Sequence, residues 1–168
     1  IFSTNDTTAM TITADGAVTV PGTLHSPGHV IQTQHAANQT TITLSQTMHT
    51  YATIVQVNIT PKYATSKILI TGYGAVQVGT GHYPTVHAKI FRDGTEIEYY
   101  AYWGYEGPIQ THRILMEPIH FLDSPTTTSA LTYYLKIANS SGSTYTGTYQ
   151  GKGNGYNASA ITVQEIAQ

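Results

Sequence analysis

The sequence predicts an all-β domain, an antiparallel β-sandwich of jelly-roll type, preceded by a short N-terminal β-hairpin or shaft segment. Three observations predict it. Apolar residues recur with period two in strand-length runs. Turn residues punctuate those runs at short intervals. No stretch carries the 3.6-residue apolar period and caps of a helix. The chain has 168 residues, enough for one domain with a real core. Residues 1–24 are read as a connector or shaft segment and residues 25–168 as the sandwich.

In the N-terminal segment, Met10–Thr13 and Ala17–Val20 alternate around Ala14-Asp15-Gly16, a hairpin signal closed by Pro21-Gly22. Strand-length runs follow at His29–His35, Thr40–Ser45 and Ala52–Thr60. The last has Val55, Val57 and Ile59 on one face and stops at Pro61, which has no N–H to donate. Ser66–Val78 is long, and Gly72 and Gly74 inside it suggest a bend or a close backbone approach. Thr85–Arg92 sets Val86, Ala88 and Ile90 against His87, Lys89 and Phe91. The tight turn Arg92-Asp93-Gly94-Thr95 leads into a return strand, Glu96–Tyr100. Ile114–Leu122 contains Pro118, which favours an edge strand or a bulge. Leu131, Tyr133, Leu135 and Ile137 line one face of a further strand, and Ala160–Ile166 is the last. The first and last sandwich strands are expected to pair, centrally in the fold.

Composition narrows the function. Charged residues are only 10% of the chain, against about 25% in an ordinary soluble domain. Thr, Ser, Asn, Gln, Gly and Tyr take their place. The formal net charge is −2, and the seven basic residues (Lys62, Lys67, Lys89, Arg92, Arg113, Lys136 and Lys152) are scattered. Nucleic-acid binding requires a basic stripe to displace counterions, so it is set aside. No apolar run reaches the roughly 20 residues of a membrane helix, so membrane insertion is not expected. Cysteine is absent, so an extracellular chain of this kind would gain stability in another way, such as oligomerisation. Ile1 in place of Met reads as the mark of a processed product or a fragment.

Catalysis finds little support. Glu96 and Glu98 are two apart on a strand and so are expected on one side. A solvated face beside a turn explains them better than a glycosidase pair. Glu165 shares the side of Ile161 and Val163 and would need a buried partner, with Arg113 and Lys136 as candidates. Gly-x-Ser-x-Gly is absent, and Ser140–Ser143 has the composition of a loop. No two of the eight histidines are two apart, so no zinc site is expected, although an axial metal in a trimer is conceivable. No enzyme activity, cofactor or metal is expected.

The strongest local signal is aromatic: thirteen Tyr and one Trp against three Phe. Tyr and Trp join a flat apolar face to a polar handle, which suits surfaces that bind. Tyr99, Tyr100, Tyr102, Trp103 and Tyr105 cluster in 98–107. Tyr145, Tyr149 and Tyr156 punctuate a Gly/Ser/Thr/Asn loop over 139–157, within which 147–155 looks mobile. These eight residues are the candidate receptor-binding positions, with core or subunit interface as the alternative for each. Tyr133 is assigned to the core.

Several segments together resemble the C-terminal tip domain of bacteriophage tail fibres, including those of marine and cyanobacterial phages. They are Val18–Leu24, Gly28–Gln34, Val57–Ile70, Ile90–Thr95, Phe121–Pro125 and the ending Ile161–Ala167. The resemblance spans roughly 17–168. It implies a homotrimer on the virion, extracellular, attaching to a host surface glycan of lipopolysaccharide type or a surface protein. Other tail proteins would lie on the N-terminal side. It carries no catalytic residues. The rival expectation is a structural virion protein, a capsid decoration or fibre-trimerisation module without a receptor site. A polysaccharide-degrading enzyme and a cellular lectin-like module stand further back.

Overall fold

The computed structural model describes residues 2–4, 7–19, 26–38, 41–43, 49–78, 85–103, 112–115, 118–139, 147–150 and 159–168. Among them there is no helix. The first three strands, β1 (Phe2–Thr4), β2 (Thr7–Ile12) and β3 (Val18–Thr19), form an antiparallel sheet that shares no ladder with the rest. The hairpin signal is met there: Thr11 pairs with Thr19 and Ile12 with Val18 around the turn at Gly16, whose φ of 83° suits glycine. Ile12 and Val18 are exposed.

The sandwich is built from two sheets. One has the order β10-β9-β13-β6, made of β6 (Ala52–Ile59), β9 (Thr85–Arg92), β10 (Thr95–Trp103) and β13 (Leu131–Asn139). The other is described as two ladders with matching strand order. Its first half has the order β12-β7-β15-β4, from β4 (Val30–Asn38), β7 (Lys67–Tyr73), β12 (Ile119–Asp123) and β15 (Ser159–Ile166). Its second half repeats that order as β11-β8-β14-β5, from β5 (Thr41–Thr43), β8 (Ala75–Val78), β11 (His112–Leu115) and β14 (Gly147–Gln150). Counting each pair of matching strands once, eight strands wind into two four-stranded antiparallel sheets, the jelly-roll arrangement. The first and last sandwich strands do pair, β4 with β15, with β4 at the sheet edge. Pro118 lies between β11 and β12, both edge strands, where its missing N–H costs least.

The core lies between the sheets. Val57, Ile59, Val86, Ala88, Ile90, Leu131, Leu135 and Ile137 meet Ile68, Ile70, Ile119, Ile161 and Val163, all buried. Each such Ile or Leu contributes about 1.5–3 kcal/mol of apolar transfer. Opposite Leu135 and Lys136, β6 carries one extra residue, so Ile54 and Val55 are both buried and the alternation of β6 shifts by one. Gly72 is required by a close approach. A Cβ there would sit 2.9 Å from the carbonyl oxygen of Ala160 on the neighbouring strand.

Two buried carboxylates share one inner row of the second sheet. Asp123 pairs in register with Ile68, and Ile68 with Glu165. Asp123 accepts from Arg92 Nη1 at 2.8 and 2.7 Å, from the Tyr133 hydroxyl at 2.7 Å and from the Ser124 N–H at 2.8 Å, which ties the two sheets together. Burial, and next the hydrogen bond to Asp123, push the Tyr133 phenol far above its ordinary range. Tyr133 is therefore core, as its position in the sequence indicates. Glu165 is buried, as expected, but Lys136, one of the two suggested cations, is not its partner. Lys136 lies on the outer face of the opposite sheet, and the Arg113 side chain is outside the described residues. Instead Glu165 accepts from the N–H groups of Lys62 and Tyr63 at 2.8 and 3.1 Å and from Gln32 Nε2 at 2.7 Å. Burial alone would raise its pKa. The Gln32 amide, the two backbone N–H groups and the nearby Ser66 hydroxyl outweigh it, and the carboxyl is held below its ordinary value.

Candidate functional site

The hairpin β9–β10 positions the site. Asp93 (φ 49°) and Gly94 (φ 88°) give the two positive φ values of a tight hairpin turn, and the Asp93 N–H and carboxylate engage the backbone of Thr132. Past the turn the ladder slips by one residue. Glu96 pairs with Phe91 and Glu98 with Ile90, leaving Ile97 as the extra residue. This bulge corrects the expectation that Glu96 and Glu98 share a side. Glu96 stands on the outer face, while Glu98 is level with the inward Ile90. No carboxylate pair forms there, because the bulge shifts the period-two alternation by one.

Beyond the bulge the register sorts the tyrosines. Tyr99 pairs with Lys89 on the outer face and is 43% exposed. Tyr100 pairs with Ala88 on the inner side, packs against the core and donates its hydroxyl to the His120 carbonyl at 3.1 Å. Burial, then the nearby Glu98 charge, raise its pKa. Tyr100 therefore ties the two sheets, which accords with the core alternative for this receptor-binding candidate. Four of the five residues of the cluster lie in strand: β10 runs through Tyr102, paired with Val86, to Trp103, paired with Thr85. The side chains of Tyr102 and Trp103, and all of Tyr105, Tyr145 and Tyr156, lie outside the described residues. Tyr149 lies in β14, paired with Ile42, so part of the segment read as a mobile loop is strand. Its glycines concealed that, and the pairing partners β5 and β8 supply what local propensity lacks.

The outer face of β10-β9-β13-β6 forms a continuous aromatic and basic surface. The residues before β6 lie across it. His49, at φ 58°, stacks on His87 with ring centres 5.3 Å apart and planes 13° apart. His87 in turn meets Tyr99 edge-on at 5.2 Å. Tyr51 meets Phe91 edge-on at 6.1 Å. The Lys89 ammonium lies 4.8 Å from the Tyr51 ring centre and 5.4 Å from that of Tyr99, and it pairs with Glu96 at 2.5 Å. The Lys136 ammonium lies 4.3 Å from the Phe91 ring centre and 5.1 Å from that of Tyr134. Burial, then His49 and Lys89, lower the pKa of His87, so the neutral imidazole is favoured. Burial raises the pKa of Tyr51 more than Lys89 lowers it.

Such a surface offers ring faces and ammonium groups, and among the described residues it holds no nucleophile–base pair. Among the described residues no group of three His, Cys, Asp or Glu could hold a metal ion. Of the eight aromatic candidates, the described side chains place only Tyr99 on this face. Sequence reasoning missed Tyr51, His87, Lys89, Phe91, Tyr134 and Lys136. The alternation of 85–92 and of 131–137 separates an outward set from an inward one, but only strand pairing brings the two outward sets together.

Neither a known protein family nor a curated protein matches the chain. Solved structures do. The VP2 subviral particle of infectious bursal disease virus is similar with a TM-score of 0.50 at 16% identity, over 88% of this chain and 37% of that one. The Gx strain of the same virus gives 0.47 at 17% identity, over 88% of this chain and 36% of that one, and carries no argument at that level. The chain spans little more than a third of the length of these structures. At such identity the likeness supports the jelly-roll sandwich and nothing finer.

Proposed function

We propose that the chain is a structural jelly-roll domain of a virion, in the manner of a capsid decoration or fibre module. The strand order carries this reading, joined by the likeness to a viral subviral-particle protein. Jelly rolls serve other roles, lectin domains among them, so assembly is the property to test. Light scattering on the purified chain is expected to give a multiple of 18.2 kDa, three copies if the module is a homotrimer. A monomer at every concentration would overturn it.

One observation favours a second reading, the receptor-facing tip of a tail fibre suggested by the sequence resemblance. The outer face of β10-β9-β13-β6 carries an exposed Tyr99 beside the half-buried rings of Tyr51, Phe91 and Tyr134, outside the core between the sheets. In this reading the face meets a host surface glycan or protein, segment 1–24 faces other tail proteins, and no reaction is catalysed. Tyr99→Ala is the discriminating variant. Lost adsorption to host cells at unchanged melting temperature supports the tip, and unchanged adsorption opposes it.

A further inference from the structure

Lys89 and Lys136 are directly opposite each other in the antiparallel register of β9 and β13, both on the outer face. Like charges so placed repel. Only seven basic residues occur in the whole chain. Two of them meet at one cross-strand position, while the outward side of β12-β7-β15-β4 carries one, Lys67, with Ile166 rather than a second basic residue opposite it. Glu96 offsets Lys89, but among the described residues no acidic side chain pairs with Lys136. Both ammonium groups lie against ring faces: Tyr51 and Tyr99 for one, Phe91 and Tyr134 for the other.

We propose that this face binds a carboxylated sugar, such as a uronic acid residue of an acidic surface polysaccharide. The two ammonium groups meet the carboxylate, and the C–H face of the sugar ring stacks on the exposed tyrosine. An anion offsets the repulsion between the two ammonium groups, and the rings select a sugar over a bare ion. The inference rests on the receptor-facing reading and gives it a ligand class. It does not depend on the assembly state.

The test is titration of the full chain, followed by NMR, with methyl β-glucuronide, methyl β-glucoside and inorganic phosphate in parallel. The glucuronide is expected to bind, with the neutral glucoside and phosphate each weaker by about tenfold or more, the range of one charge-assisted hydrogen bond. Lys136→Gln should remove the preference over the glucoside, and Lys136→Arg should retain most of it. Lys136 is on the outer face and outside the core, so both variants should stay within a few degrees of the wild-type melting temperature. Equal binding of glucuronide and glucoside overturns the acidic ligand and leaves a glycan receptor standing. Phosphate binding as well as the glucuronide overturns the sugar. Binding of none of the three overturns the inference, and host-cell adsorption then decides the receptor-facing reading separately.

Discussion

The outer faces of the two sheets are built from the same strand geometry and opposite chemistry. On β12-β7-β15-β4 the outward side chains are uncharged apart from Lys67, and two pairs bond across strands: His35 Nδ1 to the Thr162 hydroxyl at 2.9 Å, and Gln164 Nε2 to the Thr33 hydroxyl at 3.4 Å. On β10-β9-β13-β6 they are rings, imidazoles and ammonium groups in contact with one another. The first face satisfies itself within the sheet. The second carries an opposed pair of like charges, Lys89 and Lys136, of which Glu96 on the same sheet pairs only with Lys89. A low average charge conceals this, because averages do not record which residues meet.

The inner faces, which the sheets share, give the largest expected effects. Asp123→Ala leaves Arg92 and the Tyr133 hydroxyl without their acceptor in a mostly buried place, and should destabilise by about 3–5 kcal/mol in urea unfolding. A loss under about 1 kcal/mol would mean that water replaces the carboxylate and that the tie between sheets is weak. Gly72→Ala forces β7 away from β15 and should cost about 1–3 kcal/mol, read as a lowered melting temperature. Wild-type stability would show that the second sheet yields at that point.

The contrast between the outer faces is tested by smaller changes. Lys136→Glu replaces a repulsive cross-strand pair with an attractive one and should stabilise by about 0.2–1 kcal/mol. Thr162→Ala on the opposite face should lower stability by a similar amount, since it removes one exposed hydrogen bond. If Lys136→Glu destabilises instead, the contacts of Lys136 with Phe91 and Tyr134 outweigh the repulsion from Lys89.

The smallest effect is in pH. An imidazole ordinarily titrates at 6.5, and in the folded protein His87 titrates lower, through burial first and the His49 and Lys89 neighbours next. The unfolded chain therefore takes up the proton first as pH falls. The contribution of His87 is fully present above about 6.5 and is lost as pH drops through the lower, folded value. His87→Gln should flatten the stability profile between pH 7 and 5. An unchanged slope would assign the pH dependence to other groups.

Much of the scaffold was legible in the sequence, because period-two alternation and turn chemistry are local. Val86, Ala88 and Ile90 against His87, Lys89 and Phe91 already mark an inward and an outward side. The Asp93-Gly94 turn announces its hairpin, and Gly72 announces a close approach. The site was legible only in part. The tyrosine cluster drew attention to Tyr99, but Tyr100 beside it turns inward to His120, and the bulge at 96–98 separates two glutamates that sequence spacing puts together. Strand β14 was hidden by glycines whose pairing comes from β5 and β8.

The sequence by itself determined the class, all-β with strands and turns in these places, since side-chain alternation and turn residues act over a few neighbouring positions. Only the tertiary structure decided which strands lie side by side. That choice set Lys89 opposite Lys136, laid Tyr51 and His49 across β9, and gave Glu165 the backbone of 62–63 as its partner. These contacts join residues up to 103 positions apart, and their register follows from packing the whole core rather than from any local run of residues.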